Sequence, residues 1–561
     1  MPNRPVRVVV LADFNAANFA ALLSAGDGMP LVEARAMSFD TFESDAPASN
    51  AGTSDDEVAI VWTRPDTTSA ACAVLAQGGV ASSSDALADV DAFAQRIDRL
   101  RHRCSRIIVM TWTPPRVSAA FGSMAMAENG GLSNVVMRMN LRLAERAAGL
   151  PGVVLLDGAA WTTGSRTPAE AKLWYAAKIP FSNEVFRRAA LQVKSTLRAW
   201  RGDVKKLLIV DLDDTLWGGV VGDAGWQGIR LGGHDATGEA FVDFQRTVLA
   251  LRQRGILLAI ASKNDGTVAC DAIDRHPEMI LRREHFSAWR INWNDKAANI
   301  AAIADELNLG LSSVVFLDDN PSERGRVREA LPEVLVPDWP SSAMLYSDAL
   351  LGLGCFDTVA LTDEDRSRAA MYAQETARSA DRDAAGADDW LRRLELKVDV
   401  DEANERNLPR VVQLLNKTNQ MNLSTRRVDA VELTGWLASG PRQLWAFRVR
   451  DRFGDAGLTG VTSVELNGAQ ARLVDFVLSC RVFGRRIENA MLHVAIQWAR
   501  DHGAETFVAP FRLTTKNNPC RQFFQTSGFQ EDPANWFSWD VATPYPPPAD
   551  LVLSREMQLT R

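Results

Sequence analysis

Along the first 200 residues, short apolar runs alternate with segments whose apolar positions recur at helical spacing. "VRVVVLA", "VAIVW", "RIIVMTW" and "VVLLD" read as strands, while "AANFAALLSA", "DAFAQRIDRLRHR" and "LRLAERAAG" read as helices. Strands interleaved with helices predict a parallel sheet covered on both faces. A long amphipathic stretch, "NEVFRRAALQVKSTLRAWRGD", then leads into a second α/β unit. In that unit "LLIVDLDD", "ILLAIASK" and "VVFLDDNP" are buried-type strands that each end in polar residues. Ligands of open α/β sheets bind outside the carboxyl ends of the strands, so the three polar ends should converge in one crevice. Residues 361–390 are rich in alanine and charge and predict a helical connector. From "LELKVDV" onward the pattern becomes a run of strands, then the helix "RIENAMLHVAIQWARDHG" and the strand "TFVAPF", an α+β domain with an antiparallel meander. "PYPPPAD" near the end predicts an extended surface segment. The expected fold class is thus α/β multidomain, divided at 1–203, 204–360, 361–390 and 391–561.

A chain of 561 residues, 46% apolar and 24% charged, can support several domains with large cores. Its net charge of −8 supplies no basic field and argues against nucleic acid as the main partner. No apolar run approaches a membrane span, and the opening "MPNRPVRVVVLADF" lacks a signal-peptide core, so a cytoplasmic protein is expected. Six cysteines stand far apart without a CxxC pair, as in a reducing compartment where structural thiols are the default. The six histidines form no HxxxH or HExxH pair, which excludes the usual zinc hydrolase.

The chemistry concentrates in "LIVDLDDTLWGG", where Asp211, Asp213 and Asp214 follow strand-formers directly. Like charges this close repel and are costly to desolvate. A solvated acidic turn is one explanation; a divalent cation with an incoming phosphate is the other. Asp211 is a candidate nucleophile, with Asp213 on the same side of an extended segment. "AIASKND" ends a strand with Ser262, whose hydroxyl suits a phosphoryl oxygen, followed by Lys263 and Asn264. "NWNDKAANI" presents Lys296 near a helix start, and "VVFLDDNPSER" ends a strand with Asp318 and Asp319. Phosphoryl transfer needs charge neutralisation and in-line positioning, and Mg²⁺ prefers oxygen ligands of this kind.

These four segments, in this order, resemble the four motifs of the haloacid dehalogenase (HAD) superfamily. The resemblance implies Asp211 as phosphoaspartyl nucleophile and Asp213 as general acid/base, with its backbone carbonyl on the metal. Ser262 and Lys296, with Lys263 and Asn264, would bind phosphate, and Asp319 beside Asp318 would complete the Mg²⁺ site. Between Thr215 and Ser262 the sequence holds only a flap, "WGGVVGDAGWQGIRL", and one helix, "GEAFVDFQRTVLALRQRG". That leaves no room for a cap domain, and an open site suits a macromolecular substrate or one covered by a neighbouring domain.

"VDLDDTLWGGVVGDAG", "NWNDKAANI", "FLDDNPSER" and "LSCRVFGRRIE" together resemble the FkbH family of polyketide biosynthesis. The resemblance implies loading of a glyceryl unit from 1,3-bisphosphoglycerate onto the phosphopantetheine thiol of an acyl carrier protein, with dephosphorylation. Read on its own, Cys480 has Arg481, Arg485 and Arg486 close behind it, and neighbouring cations favour a nucleophilic thiolate. An acyl phosphate would acylate such a thiolate, and the thioester could exchange onto a carrier thiol; a buried structural cysteine is the competing explanation. Cys270, Cys355 and Cys520 lack this setting and read as structural.

The C-terminal domain resembles a GNAT acyltransferase, with "CRVFGRRIENAML" where that fold carries its RxxGxG/A pyrophosphate loop. Arg481 and Gly484 match, but Arg486 replaces the last small residue, which argues against acetyl-CoA and leaves the groove to a pantetheine arm. "LLNKTNQMNLSTRR" is similar to a family segment, and its Asn419 and Asn422 are candidates for a glyceryl hydroxyl or simply a solvated helix end. The N-terminal domain resembles the SGNH-hydrolase-like module of longer FkbH proteins. The serine position reads "LADFNAAN" and no DxxH precedes "YAAKIPFSNEVF", so a docking or scaffold role is expected. Asp13 and Asn15 there are either remnants of a site or a local cap. Glyceryl transfer, a plain Mg²⁺-dependent phosphatase and a non-catalytic scaffold are the readings carried forward.

Overall fold

Runs of β-branched residues build the first sheet. The computed structural model describes residues 5–26, 30–44, 57–128, 130–163, 165–359, 387–479, 482–514, 516–534 and 536–555. The chain forms two compact units, Met1–Arg198 and Ala199–Arg561. In the first, β1 (Val6–Ala12), β2 (Val32–Ser38), β3 (Glu57–Trp62), β4 (Arg106–Met110) and β5 (Val153–Leu156) form a parallel sheet in the order β2-β1-β3-β4-β5. This is a doubly wound order of the flavodoxin type. Strand β2 was not expected from the pattern. It is an edge strand paired to β1 with Val6 opposite Val32, and most of its side chains are exposed or half-buried, so it carries no apolar run. Asn15 caps locally, its Oδ1 accepting from Ala17 N (3.1 Å) at the start of the helix Ala17–Ser24. Asp13 accepts from Arg64 N (3.0 Å) and from the Thr67 hydroxyl, and burial pushes its pKa up to about 6.

In the second unit, β6 (Leu207–Val210), β7 (Leu257–Ser262), β8 (Ala288–Ile291) and β9 (Val314–Leu317) form a parallel sheet in the order β8-β7-β6-β9. Every residue of β6, β7 and β9 is buried, the consequence of helices on both faces and the reason these strands read as unbroken apolar runs. The flap after β6 is packed rather than loose. Gly218 and Arg230 exchange backbone bonds (3.0 and 2.9 Å) across its base, and Trp217 and Val221 are fully buried. A buried glutamine on the helix Ala236–Gln253 locks the flap in place. Gln245 Nε2 donates to Leu216 O (2.8 Å), and its Oε1 accepts from Ile280 N (2.9 Å) and Leu281 N (3.1 Å). The expected absence of a cap insertion between Thr215 and Ser262 agrees with the elements found there, the flap helix Val221–Gly228 and the helix Ala236–Gln253.

The last sheet contains β10 (Leu396–Glu402), β11 (Met421–Asn422), β12 (Arg442–Asp451), β13 (Gly454–Asn467), β14 (Gln470–Leu478), β15 (Thr506–Pro510), β16 (Gln530–Glu531), β17 (Trp536–Asp540) and β18 (Leu551–Arg555). Among the described residues its order is β16-β17-β15-β14-β13-β12-β10-β18, with β12, β13 and β14 an antiparallel meander. The helix Ile487–Asp501 crosses from β14 to the parallel β15, but these two pair only between Gln470–Arg472 and Thr506–Val508; the far end of β14 pairs with β11 instead. Of the expected connector 361–390, residues 361–386 lie outside the described residues, and a helix runs Ala387–Arg393. No described helix is long and apolar enough to cross a membrane.

Replacing Gln245 by leucine keeps its volume but strips partners from three backbone groups. A stability loss of about 3 kcal/mol is expected, since each buried group left unpaired costs roughly 1–3 kcal/mol. Urea unfolding of Gln245→Leu should show a lower midpoint with unchanged slope; an unchanged midpoint would mean the amide does not hold the flap.

Candidate active site

The carboxyl ends of β6, β7 and β9 meet as the sequence pattern required. Asp211 follows β6 directly, its backbone N–H donating to Leu317 O (3.0 Å) at the end of β9. Lys296, first residue of the helix Lys296–Glu306, places Nζ 2.9 Å from Asp211 Oδ2 and 2.6 Å from Asp318 Oδ2. All three side chains are buried. Burial pushes the Asp211 and Asp318 carboxyls up, and the Lys296 charge opposes that rise. For the lysine, burial alone would favour the neutral amine, but the two carboxylates outweigh it and its pKa goes up. Asp319 is raised by burial and then by Asp211 and Asp214.

One oxygen each of Asp211, Asp318 and Asp319 lies within 4.8 Å of the others, an all-oxygen donor set of the kind magnesium takes. Asp211 Oδ1 is buried without a hydrogen-bond partner, a cost that a bound cation or phosphoryl group would remove. One lysine among three carboxylates also leaves negative charge that a divalent ion would balance. The residues present therefore suit Mg²⁺. The loop behind them is braced: Arg324 donates to the backbone oxygens of Asp318 and Asp319 (2.7 Å each), and Asp319 N donates to Thr215 Oγ1 (3.2 Å). Neither Arg324 nor Thr215 is given a role by the sequence reading; their places inside "VVFLDDNPSER" and "DLDDTLWGG" are the only cue.

Asp213 is held by three donors: Trp217 Nε1 (2.9 Å), Val221 N (3.1 Å) and Asn264 Nδ2 (2.9 Å). The flap tryptophan thus has a definite task, and the four-residue spacing from Asp213 was its signal. Asn264 was expected on phosphate, but its amide serves Asp213 and approaches Ser262 Oγ at 3.4 Å. Ser262 lies beside the Asp211 side chain and opposes the burial-driven rise of its pKa. Lys263, also expected on phosphate, is ion-paired with Glu323 at 2.6 Å. Asp214 adopts a left-handed backbone (φ 50°), accepts from Gly219 N (2.7 Å) through its carboxylate and receives the Tyr346 hydroxyl (3.0 Å) on its carbonyl, so it shapes the turn.

The second cluster of expected residues is divided. Cys480 and Arg481 lie outside the described residues. Gly484 (φ 70°) donates its N–H to Glu488 Oε1 at 3.1 Å, and burial pushes the Glu488 pKa up. Arg485 was expected in an electropositive thiol setting; it is 1% exposed and paired with Asp451 at 3.4 Å, in the core of the domain. Arg486 (φ 60°) starts the helix Ile487–Asp501 and pairs with Asp550. Asn422 is buried, its side-chain amide donating to Thr418 O (2.9 Å) and accepting from Thr425 N (2.8 Å), which braces a loop. Asn419 does line a groove, of about 400 Å³. Cys355 and Cys520 are buried, and burial pushes the Cys270 and Cys520 thiols up, away from reactivity.

No family model and no curated protein matches the chain. Among solved structures it is similar to the N-terminal part of the protein BF1531 from Bacteroides fragilis, which contains a phosphatase domain complexed with Mg. The two are 27% identical, with 64% of this chain and 95% of that one covered and a TM-score of 0.56. A GNAT-family acetyltransferase from Staphylococcus aureus Mu50 aligns at 11% identity over 26% of this chain and 99% of its own, TM-score 0.21. Rv2747 from Mycobacterium tuberculosis, in complex with CoA and NLQ, aligns at 19% identity over 24% and 72%, TM-score 0.19. The crevice thus lies in a multidomain α/β chain that is similar, over 64% of its length, to a protein containing a phosphatase domain complexed with Mg.

Proposed function

We propose that this protein is a Mg²⁺-dependent phosphoryl-transfer enzyme that loads a glyceryl unit from 1,3-bisphosphoglycerate onto the phosphopantetheine thiol of an acyl carrier protein. Dephosphorylation accompanies the loading, for polyketide-type biosynthesis in the cytoplasm. The observation that carries the phosphoryl half is Lys296 clamped between Asp211 and Asp318, with Asp211 Oδ1 left unpartnered. The phosphatase neighbour solved with Mg supports the same half. Asp211, Asp318 and Asp319 would hold the ion, which when bound neutralises charge on the transferring phosphoryl group.

Asp211 attacks phosphorus, an aspartyl O–P bond forming as the bond to the leaving oxygen breaks. Asp213, oriented by Trp217, Val221 N and Asn264, protonates that oxygen and then takes a proton from the water that cleaves the phosphoaspartate. Ser262 and Lys296 hold phosphoryl oxygens in the position for in-line attack. For the acyl half, the Cys480 thiolate attacks the acyl carbon, a C–S bond forms, and phosphate leaves with the electron pair of the broken C–O bond. Exchange with the carrier thiol then frees the cysteine. The C-terminal meander and its crossover to β15 provide the acyltransferase-like domain, and the N-terminal unit serves as an SGNH-like docking module. The burial of Arg485 against Asp451 takes one cation from the thiol and favours a second reading, a Mg²⁺-dependent phosphatase acting on a carrier-bound or small-molecule phosphate.

Asp211→Asn should abolish phosphate release from p-nitrophenyl phosphate, while Asp213→Asn should slow it by about 10²–10⁴-fold. Mg²⁺ at a hundredfold excess over its dissociation constant should stabilise the protein by about 2.7 kcal/mol in thermal melts. Asp319→Ala should lose that gain; equal gains in both proteins would place the ion elsewhere. Intact mass after incubation with Mg²⁺ and 1,3-bisphosphoglycerate should show an acyl increment that Cys480→Ala lacks and that an added holo carrier protein removes. Phosphate release with no acylated protein would leave the phosphatase reading.

A further inference from the structure

The first unit contains a cavity of about 490 Å³, a volume within the usual range for a small-molecule site. Two neighbouring strand ends supply most of its lining. Trp62, Arg64 and Asp66 lie at and just past the end of β3, and Thr111, Thr113 and Pro115 follow β4. Ligands of open α/β sheets bind at such carboxyl ends, beside the point where the winding reverses. In the order β2-β1-β3-β4-β5 that point falls between β1 and β3. There Asp13, after β1, accepts from Arg64 N at 3.0 Å.

The cavity walls are ring faces held from behind. Trp62, 2% exposed, stacks on Phe181 at 4.9 Å and meets Phe14 and Trp161 edge-on at 5.7 and 5.5 Å. Phe181 is only half-buried and itself lines the cavity. Pro65, Pro168 and Pro180 add apolar surface that loses no rotamer freedom when covered. Most of the surrounding hydroxyls are engaged within the fold. Thr63 Oγ1 accepts from Trp112 Nε1 (3.1 Å), Thr111 Oγ1 accepts from Gly158 N (2.8 Å), and Thr162 Oγ1 donates to Ala159 O (2.9 Å). Thr113 supplies a further hydroxyl that can serve a ring heteroatom.

The charges of the lining are set against one another. Arg64 pairs with Asp66 at 3.4 Å and approaches Asp13 at 3.7 Å, and Glu170 is the other charged residue of the described lining. A bound anion would meet an arginine already paired, with a second acid beside it. A cation would seek the Trp174 ring, but Arg64 lies over that ring at 4.8 Å and Lys178 at 5.2 Å. Both signs of charge are thus disfavoured, and ring faces remain as the means of recognition. We propose that the cavity binds a neutral, planar heteroaromatic molecule, stacked against Phe181 with its heteroatom at the Thr113 hydroxyl. The described lining contains no histidine, cysteine or lysine to activate or attack it, so the ligand is held rather than converted. The N-terminal unit thereby has a small-molecule site of its own, independent of the phosphoryl reading.

Indole, neutral and flat, is the probe. Calorimetric titration of the full chain with indole should show saturable binding to a single site, unchanged in Asp211→Asn. Ala169→Trp, which fills the cavity, should abolish it. Phe181→Leu keeps apolar bulk but loses the ring, and should weaken binding about fivefold. Indole-3-acetate, which adds a carboxylate, should bind more weakly than indole. No saturable binding to wild type overturns the proposal, as does equal binding by Ala169→Trp or Phe181→Leu, or loss of binding in Asp211→Asn. Tighter binding of indole-3-acetate overturns the neutral assignment, and that comparison on wild type stands even where a variant unfolds.

Discussion

The site depends on one buried ammonium. Lys296 lies between two carboxylates that burial alone would neutralise, and its charge keeps them in place next to a third. A buried ion pair of this kind contributes little to stability compared with apolar side chains of the same volume. What it leaves is a crevice with a third carboxylate close by, whose excess negative charge a cation would balance. The surrounding structure is arranged to hold this poise. Three all-buried strands deliver Asp211, Ser262 and Asp318 to one edge, a helix start delivers the lysine, and Arg324 braces the loop from below.

Much of this was legible in the sequence because it depended on local patterns. Apolar runs ending in acids gave β6 and β9, and the polar residue at each strand end gave the crevice. Residues engaged by distant partners show contacts that the sequence could not give. Lys263 and Asn264 follow Ser262 and share its motif, yet Glu323, some sixty positions away, engages the first and Asp213 the second. Arg485 looked like a companion of Cys480 until its burial against Asp451 appeared; adjacency in a chain says nothing about which face of a turn a side chain leaves from. The edge strand β2 went unseen because an edge needs few apolar residues to be a strand.

The flap shows how a small element replaces a large one. With no cap insertion between Thr215 and Ser262, nothing from that stretch folds over the crevice as a domain. Instead a buried tryptophan orients Asp213, and a buried glutamine fixes the tryptophan's segment to the body of the domain. The positioning that a closing lid would supply on binding is present beforehand, in hydrogen bonds among buried groups.

Glu488 fills the anion-accepting position of one turn in the C-terminal domain. The turn before the helix Ile487–Asp501 has the left-handed Gly484 and an N–H of the sort that welcomes an anion, yet the chain's own buried carboxylate already occupies it. A diphosphate approaching that turn would have to dislodge this internal tenant and then face its charge. An incoming anion would meet Glu488 there first, before any bulky side chain.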